Sequence, residues 1–243
     1  MTSPDQVPYP TPVLSYHRKS HPSINPSLSK LSTVGKTIAF SFAESSTSHL
    51  GLTGRRASKL EETKSRVLSS FPSTSVHLPP DNNKIDILVA DAGYANDHNT
   101  LEQVDPDQFW TAFEINTDPV VLHVSVGLAH FPYMPGHGPY AASKLAVVKI
   151  FNWFKYESPE ITMISFHTRL LMTIFCRSTK VSSTVDLAGS FVIWAASTEA
   201  AFLDSRLVWA TWDVDALKAQ ASELEQNSLR YTVGLLGFPG PRT

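Results

Sequence analysis

The chain has 243 residues, 42% of them apolar and 17% charged, enough material for one sizeable core. A formal net charge of −2 and a pI of about 6.5 supply no basic field for nucleic acid or an anionic membrane, and no apolar run approaches the roughly 20 residues of a membrane span. The lone cysteine, Cys176, excludes an internal disulfide and points to the cytoplasm. Glycine is scarce, at 11 in the whole chain, and only Gly35, Gly51 and Gly54 fall in the first 92 residues. Phosphate-cradling loops need glycine, so the N-terminal third is poorly equipped to hold a nucleotide.

Residues 1–33 carry six prolines and many Ser and Thr without apolar periodicity, and read as a disordered leader. One arginine and no amphipathic period argue against a mitochondrial presequence there. From residue 34 to 243, short apolar strands alternate with helical patterns, which predicts a single doubly wound α/β domain with a parallel sheet. KTIAF (36–40) would be the first strand and HLGLTG (49–54) the second, followed by an exposed helix from Arg56 to Ser70 with Leu60, Val67 and Leu68 on one side. SVH (75–77) and IDILVA (85–90) are the next strands, the latter running into Asp91-Ala92-Gly93. Pro106 opens a helix that can turn Phe109, Trp110, Phe113 and Ile115 to the core. VVLHVS (120–125) is a strand, Tyr140 to Lys155 an apolar helix, MISFH (163–167) a strand and Val185 to Ala196 a helix. LVWA (207–210) is the last strand, and Trp212-Asp213-Val214-Asp215 opens a final helix through about Gln226, its acids suited to the N-terminal dipole.

Two connections strain this scheme. A parallel crossover needs about a dozen residues or more. Only residues 41–48 separate the first two predicted strands, and only 78–84 separate SVH from IDILVA.

The sharpest chemical signal is Tyr140-Ala141-Ala142-Ser143-Lys144. Residues i and i+4 share a helix face, so the phenol and the ammonium come together. A cation beside a tyrosine favours phenolate, which suits proton transfer at an alcohol or carbonyl oxygen. Taken alone, the same spacing is that of an amphipathic helix carrying both residues at its edge. Ser125 ends a strand fifteen residues upstream, where a hydroxyl can hold a substrate oxygen, or simply be a strand-end serine. Asn116, at a helix end, can relay a proton through water or merely terminate the helix.

In this order of motifs the chain resembles the short-chain dehydrogenase/reductase family. The matching pieces are Gly35-Lys36-Thr37-Ile38, Thr53-Gly54-Arg55-Arg56, Asp91-Ala92-Gly93, Asn116, Ser125 and the Tyr140–Lys144 pair, with LVWATWDVDAL (207–217) like a C-terminal stretch of fungal members. The resemblance implies a Rossmann-like, NAD(P)-binding fold and an oxidoreductase that interconverts a secondary alcohol and a ketone. Tyr140 would be the general acid/base, Ser125 would bind the reacting oxygen, and Asn116 would hold a relay water. Lys144 would lower the tyrosine pKa and bond the nicotinamide ribose. Arg55 would face a 2′-phosphate, favouring NADP over NAD. Asp81, Asp91, Ala92, Gly93 and Thr173 are the remaining cofactor contacts implied, and pairing as a homodimer or homotetramer is implied too.

Departures from the family pattern cluster on the cofactor side. The glycine-rich turn after the first strand is absent, and GKTI runs straight into AFSFAES, which looks like the middle of the following helix. The segment 78–84 is too short for the helix expected there, and only Thr117 to Pro119 separate Asn116 from VVLHVS. Asp91 stands where the family has Asn, and Thr168-Arg169 where it has Pro-Gly. The competing expectation is therefore a degenerate, inactive member or the product of wrongly joined exons, surviving at most as a binding protein, unstable because apolar sheet surface lies exposed. A serine hydrolase is disfavoured: His123-Val124-Ser125-Val126-Gly127 lacks the first glycine of a nucleophile elbow. The nine histidines are scattered and show no metal-site spacing, so no metal is expected.

Overall fold

The computed structural model describes residues 34–78, 85–91, 93, 94, 101–116, 122–125, 129, 136–168 and 181–234, and of 115, 116, 122–125 and 181–185 the backbone only. In chain order these form α1 (Val34–Glu44), β1 (His49–Gly51), α2 (Ala57–Ser70), β2 (Ser75–His77), β3 (Val89–Ala90), α3 (Pro106–Asn116) and β4 (Leu122–Ser125). There follow α4 (Gly138–Glu157), β5 (Ile164–His167), α5 (Val181–Ala195), a 3₁₀ turn (Thr198–Leu203), β6 (Arg206–Trp209), α6 (Val214–Lys218) and α7 (Ala221–Gln226).

The strands fall into two parallel sheets, β1-β2 and β3-β4-β5-β6. A doubly wound sheet runs in the order 3-2-1-4-5-6, reversing at its first strand. The two sheets here correspond to the two arms of that order, with no central strand between them among the described residues. The fold is an incomplete Rossmann-like α/β fold, split at its switch point.

The segment expected to supply that central strand is helical instead. Residues Gly35 to Phe40 lie inside α1, which runs unbroken through Ile38–Ala39. Its apolar residues repeat with helical rather than alternating period. Val34, Ile38 and Phe42, spaced i, i+4, i+8, enter the main core, while Phe40 and Ala43 pack with Val67 and Val76. Leu50 of β1 touches both clusters, so α1 joins the two sheets. This removes both strained connections. Residues 41–48 need not hold a crossover helix, because α1 itself precedes β1. Likewise β2 and β3 belong to different sheets.

Against its other flank α1 meets α5 closely. A Cβ at Gly189 would lie 2.4 Å from the Ser41 Oγ and 2.9 Å from the Thr37 Cγ2, so only glycine lets these helices approach. Beneath them, Ile164 and Phe166 of β5 and Val208 of β6 are buried against Phe191 and Val192 of α5. The C-terminal segment is pinned to β6 by Arg206, whose guanidinium donates to the carbonyls of Leu224, Ser228 and Arg230 at 2.6–2.8 Å.

Several expectations need correction. The IDILVA strand shrinks to Val89–Ala90, and Ile85 and Ile87 are exposed at 59% and 43%. Trp110 is exposed at 61%, while Ala112 of the same helix is fully buried, so the core stripe of α3 is rotated from the one expected. In α2, Val67 is buried but Leu68 is exposed; Thr63 shares the inner face. The single C-terminal helix is two. Asp213 caps α6 by accepting from the Ala216 N–H at 2.7 Å. The break follows at Gln220, whose side-chain Oε1 accepts from Tyr231 Oη and Arg230 Nη2.

Candidate active site

In an open parallel sheet the ligand lies outside the carboxyl ends of the strands. The register brings those ends together: Ala90 pairs with His123, Ser125 with His167, and His167 with Trp209. Asp91 follows directly on β3, and Ser125 closes β4. Helix α4 flanks this edge. It begins at Gly138 after His137, with Pro139 in its first turn, where a missing N–H is harmless.

Tyr140 and Lys144 lie one turn apart on the inner face of α4 and are 6% and 2% exposed. The Lys144 Nζ is 6.0 Å from the Tyr140 ring centre. Between them Ser143, fully buried, donates from Oγ to the Tyr140 carbonyl at 2.8 Å. The expected pair is thus brought together and sunk into the protein.

Its electrostatics differ from those the resemblance implies. Burial pushes the Tyr140 phenol above its ordinary value, and the nearby charge of Asp91 pushes it further the same way. The lowering expected from Lys144 does not result. Lys144 itself is brought down to about 8 by burial, against the pull of Asp91 that favours its charged form. Asp91 is raised to about 6, again by burial first, although a hydrogen bond from the Gly35 amide and the charge of Lys144 both favour its ionised form. All three groups are held closer to neutrality than they would be in water.

The other expected residues are placed as follows. Arg55 is exposed between β1 and the start of α2. Gly93 is exposed beyond β3. Asn116 ends α3 and Ser125 ends β4, both seen as backbone. Asp81, Ala92 and Thr173 lie outside the described residues. The sequence reading gave no site role to His137, buried just ahead of Tyr140, or to His167 and Thr168, buried where β5 ends. Their position at a strand end and a helix start was the available signal. Among the described residues no group of three His, Cys, Asp or Glu could hold a metal ion, and no helix is long and apolar enough to cross a membrane.

A dinucleotide places its pyrophosphate on the N-terminus of the first helix. In this chain the second residue of that helix, Gly35, donates its N–H to Asp91. A Cβ at Gly35 would meet the Asp91 Oδ2 at 2.6 Å. An anion of the chain's own stands where a phosphate would need the amides. The helix end at Gly35, occupied by the chain's own carboxylate, therefore does not fit a pyrophosphate.

No protein-family model matches the chain. It is 26% identical over 245 residues to a short chain dehydrogenase/reductase of Claviceps purpurea, covering 84% of this chain and 83% of that one. It is 31% identical over 159 residues to the short chain dehydrogenase/reductase AacuD of Aspergillus aculeatus, covering 62% and 55%. Among solved structures, a putative short chain dehydrogenase from Escherichia coli CFT073, complexed with NADPH, superposes with a TM-score of 0.62 at 14% identity, over 73% of this chain and 92% of that one. A 3-oxoacyl-[acyl-carrier protein] reductase from Brucella melitensis superposes with a TM-score of 0.58 at 15% identity, over 72% and 85%. With the ordered motifs, the two sheet arms and this likeness together, the chain is similar to fungal short-chain dehydrogenases/reductases and has an incomplete Rossmann-like fold, with no central strand among the described residues.

Proposed function

We propose that the chain is an NADP(H)-dependent oxidoreductase that interconverts a secondary alcohol and a ketone. The observation that carries this reading is the buried Tyr140–Lys144 pair beside the carboxyl edge of a parallel sheet. NADP(H), when bound, supplies or accepts the hydride. The chain's residues handle the proton. Tyr140 gives its phenolic proton to the oxygen of the ketone, or takes one from the alcohol, while Ser125 holds that oxygen. Lys144 provides the positive charge beside the phenol, and Asn116 seats a water that returns the proton from solvent. Arg55, exposed at the start of α2, suits a 2′-phosphate and favours NADP over NAD. Exposed Leu145, Ile150, Trp153 and Tyr156 on α4, with Trp110 on α3, support pairing of copies through these helices. The cytoplasm suits a chain with one cysteine.

The test is oxidation of NADPH against a panel of ketones, at millimolar cofactor so that weak binding is no obstacle. Activity is expected, and Tyr140→Phe is expected to lower it by about 100-fold or more. No oxidation, or oxidation indifferent to Tyr140→Phe, would overturn the reading.

A second reading is favoured by the pyrophosphate misfit at Gly35 and Asp91. In it the chain is an inactive member that survives as a binding protein, or the product of wrongly joined exons. Sequencing the transcript across residues 80–84 and 116–120 separates these, since recovered in-frame segments would restore the missing helices.

A further inference from the structure

The amino end of β5 and β6, away from the strand ends that form the candidate active site, holds a buried charge with no carboxylate bonded to it. Arg206 opens β6 and is 9% exposed. Its terminal nitrogens donate to carbonyls, those of Leu224, Ser228 and Arg230. Its Nε, buried, has no acceptor among the described residues. The carboxylates nearby are engaged elsewhere. Asp204 takes Lys155 Nζ through Oδ2 at 2.8 Å and the Met163 N–H through Oδ1 at 3.0 Å. Glu223 is paired with Arg230. A guanidinium keeps its charge, and a buried charge is ordinarily paired.

Arg206 also lines a narrow cavity between the last turns of α4, the starts of β5 and β6, and the segment after α7. The polar part of its wall is Asn152, Lys155, Ser165, Ser205, Arg206 and Thr232. Two cations, three hydroxyls and an amide can all donate hydrogen bonds, and no carboxylate stands among them. About 10 Å³ is open to a water-sized sphere, room for one small occupant and too little for a phosphate. Ser205 holds left-handed backbone there, with φ 63°, a conformation that non-glycine residues keep only where their surroundings impose it.

We propose that this cavity is a halide site, in which Arg206 Nε and the hydroxyl and amide donors around it hold one chloride ion. A water fits the same space, but it would leave the guanidinium charge uncompensated and would need acceptors for its own two protons in a wall made mostly of donors. The ion ties α4 and β6 to the C-terminal segment, so the stability of the fold depends on chloride. The inference is independent of the oxidoreductase reading.

The test uses the purified full chain in sodium gluconate, with chloride titrated in at constant ionic strength. The chloride NMR line is expected to broaden beyond that of a urea-unfolded sample, and the thermal midpoint to rise by about 3 °C or more as the site fills. Asn152→Asp changes neither side-chain size nor backbone and places a fixed carboxylate in the cavity. It should abolish both effects while raising the midpoint in gluconate. Arg206→Met should abolish both as well; if it does not fold, Asn152→Asp decides alone. No excess linewidth in the parent, the result for a cavity that holds only water, overturns the proposal. Broadening and a midpoint rise that persist in Asn152→Asp overturn it too.

Discussion

Replacing Phe166 by alanine is expected to lower the unfolding free energy by about 3–5 kcal/mol. Phe166 is fully buried on β5, which is hydrogen-bonded on both sides, to β4 and β6. Its ring lies 5.7 Å from that of Phe191 of α5, within the cluster that also holds Ile164, Val192 and Val208. Truncation removes the transfer free energy of a phenyl ring and leaves a cavity whose walls are strands and a helix that cannot collapse freely. A domain of this size has about 5–15 kcal/mol to lose, so the variant should be at the edge of folding. Urea unfolding followed through the emission of Trp194, Trp209 and Trp212, all in the same core, reads this directly. A loss below about 1 kcal/mol would mean that β5 is not the centre of the core.

The second large effect belongs to Asp91 and has a defined dependence on pH. Its carboxyl titrates at about 6 in the folded chain against an ordinary value of 3.8, so folding favours the neutral form. The stability associated with that group is fully present below pH 3.8 and is lost as pH rises through 6. The interval corresponds to about 2–3 kcal/mol at neutral pH. Lys144 slopes the other way. Its folded value of about 8 lies below 10.5, so stability recovers as pH climbs from 8 toward 10.5. Thermal unfolding should therefore show a shallow minimum between about pH 6 and 8. Asp91→Asn should remove the acid limb, raising stability at pH 7 by about 2–3 kcal/mol while changing little at pH 4. An Asn variant less stable than the parent at pH 7 would show that the carboxylate is needed as a charge.

Much of the fold was legible because most elements carry their own period. The span of α2, the apolar runs of β4 to β6 and the long α4 stand close to where sequence reasoning puts them. The pair Tyr140–Lys144 was legible because i, i+4 spacing in a helix is a fixed geometry. What failed was the assignment of GKTIAF by analogy with a first strand. Its neighbours Val34, Ile38 and Phe42 already spelled a helix, but that signal is weak until one knows that α5 offers a groove at Gly189. The exposure of Ile85 and Ile87 was also out of reach, since an apolar run reads as buried strand whether or not a partner strand exists. The position of Asp91 relative to Gly35 depends on three segments meeting, which no local pattern encodes.

The shortage of glycine in the N-terminal third now has a structural counterpart. The chain has no central strand among its described residues, hence no strand–turn–helix junction there to cradle a pyrophosphate, and Asp91 stands at the helix end that remains. On the proposed reading the proton-transfer half of the site and the cofactor-gripping half are separable, and the chain keeps the first. The most direct measurement is a titration of the purified full chain with NADPH, followed by the change in cofactor fluorescence. With the grip lost, the signal should rise almost linearly through the micromolar range, toward a Kd of about 1 mM or weaker. Saturation with a Kd near 1 μM, some 4.1 kcal/mol tighter, would contradict it.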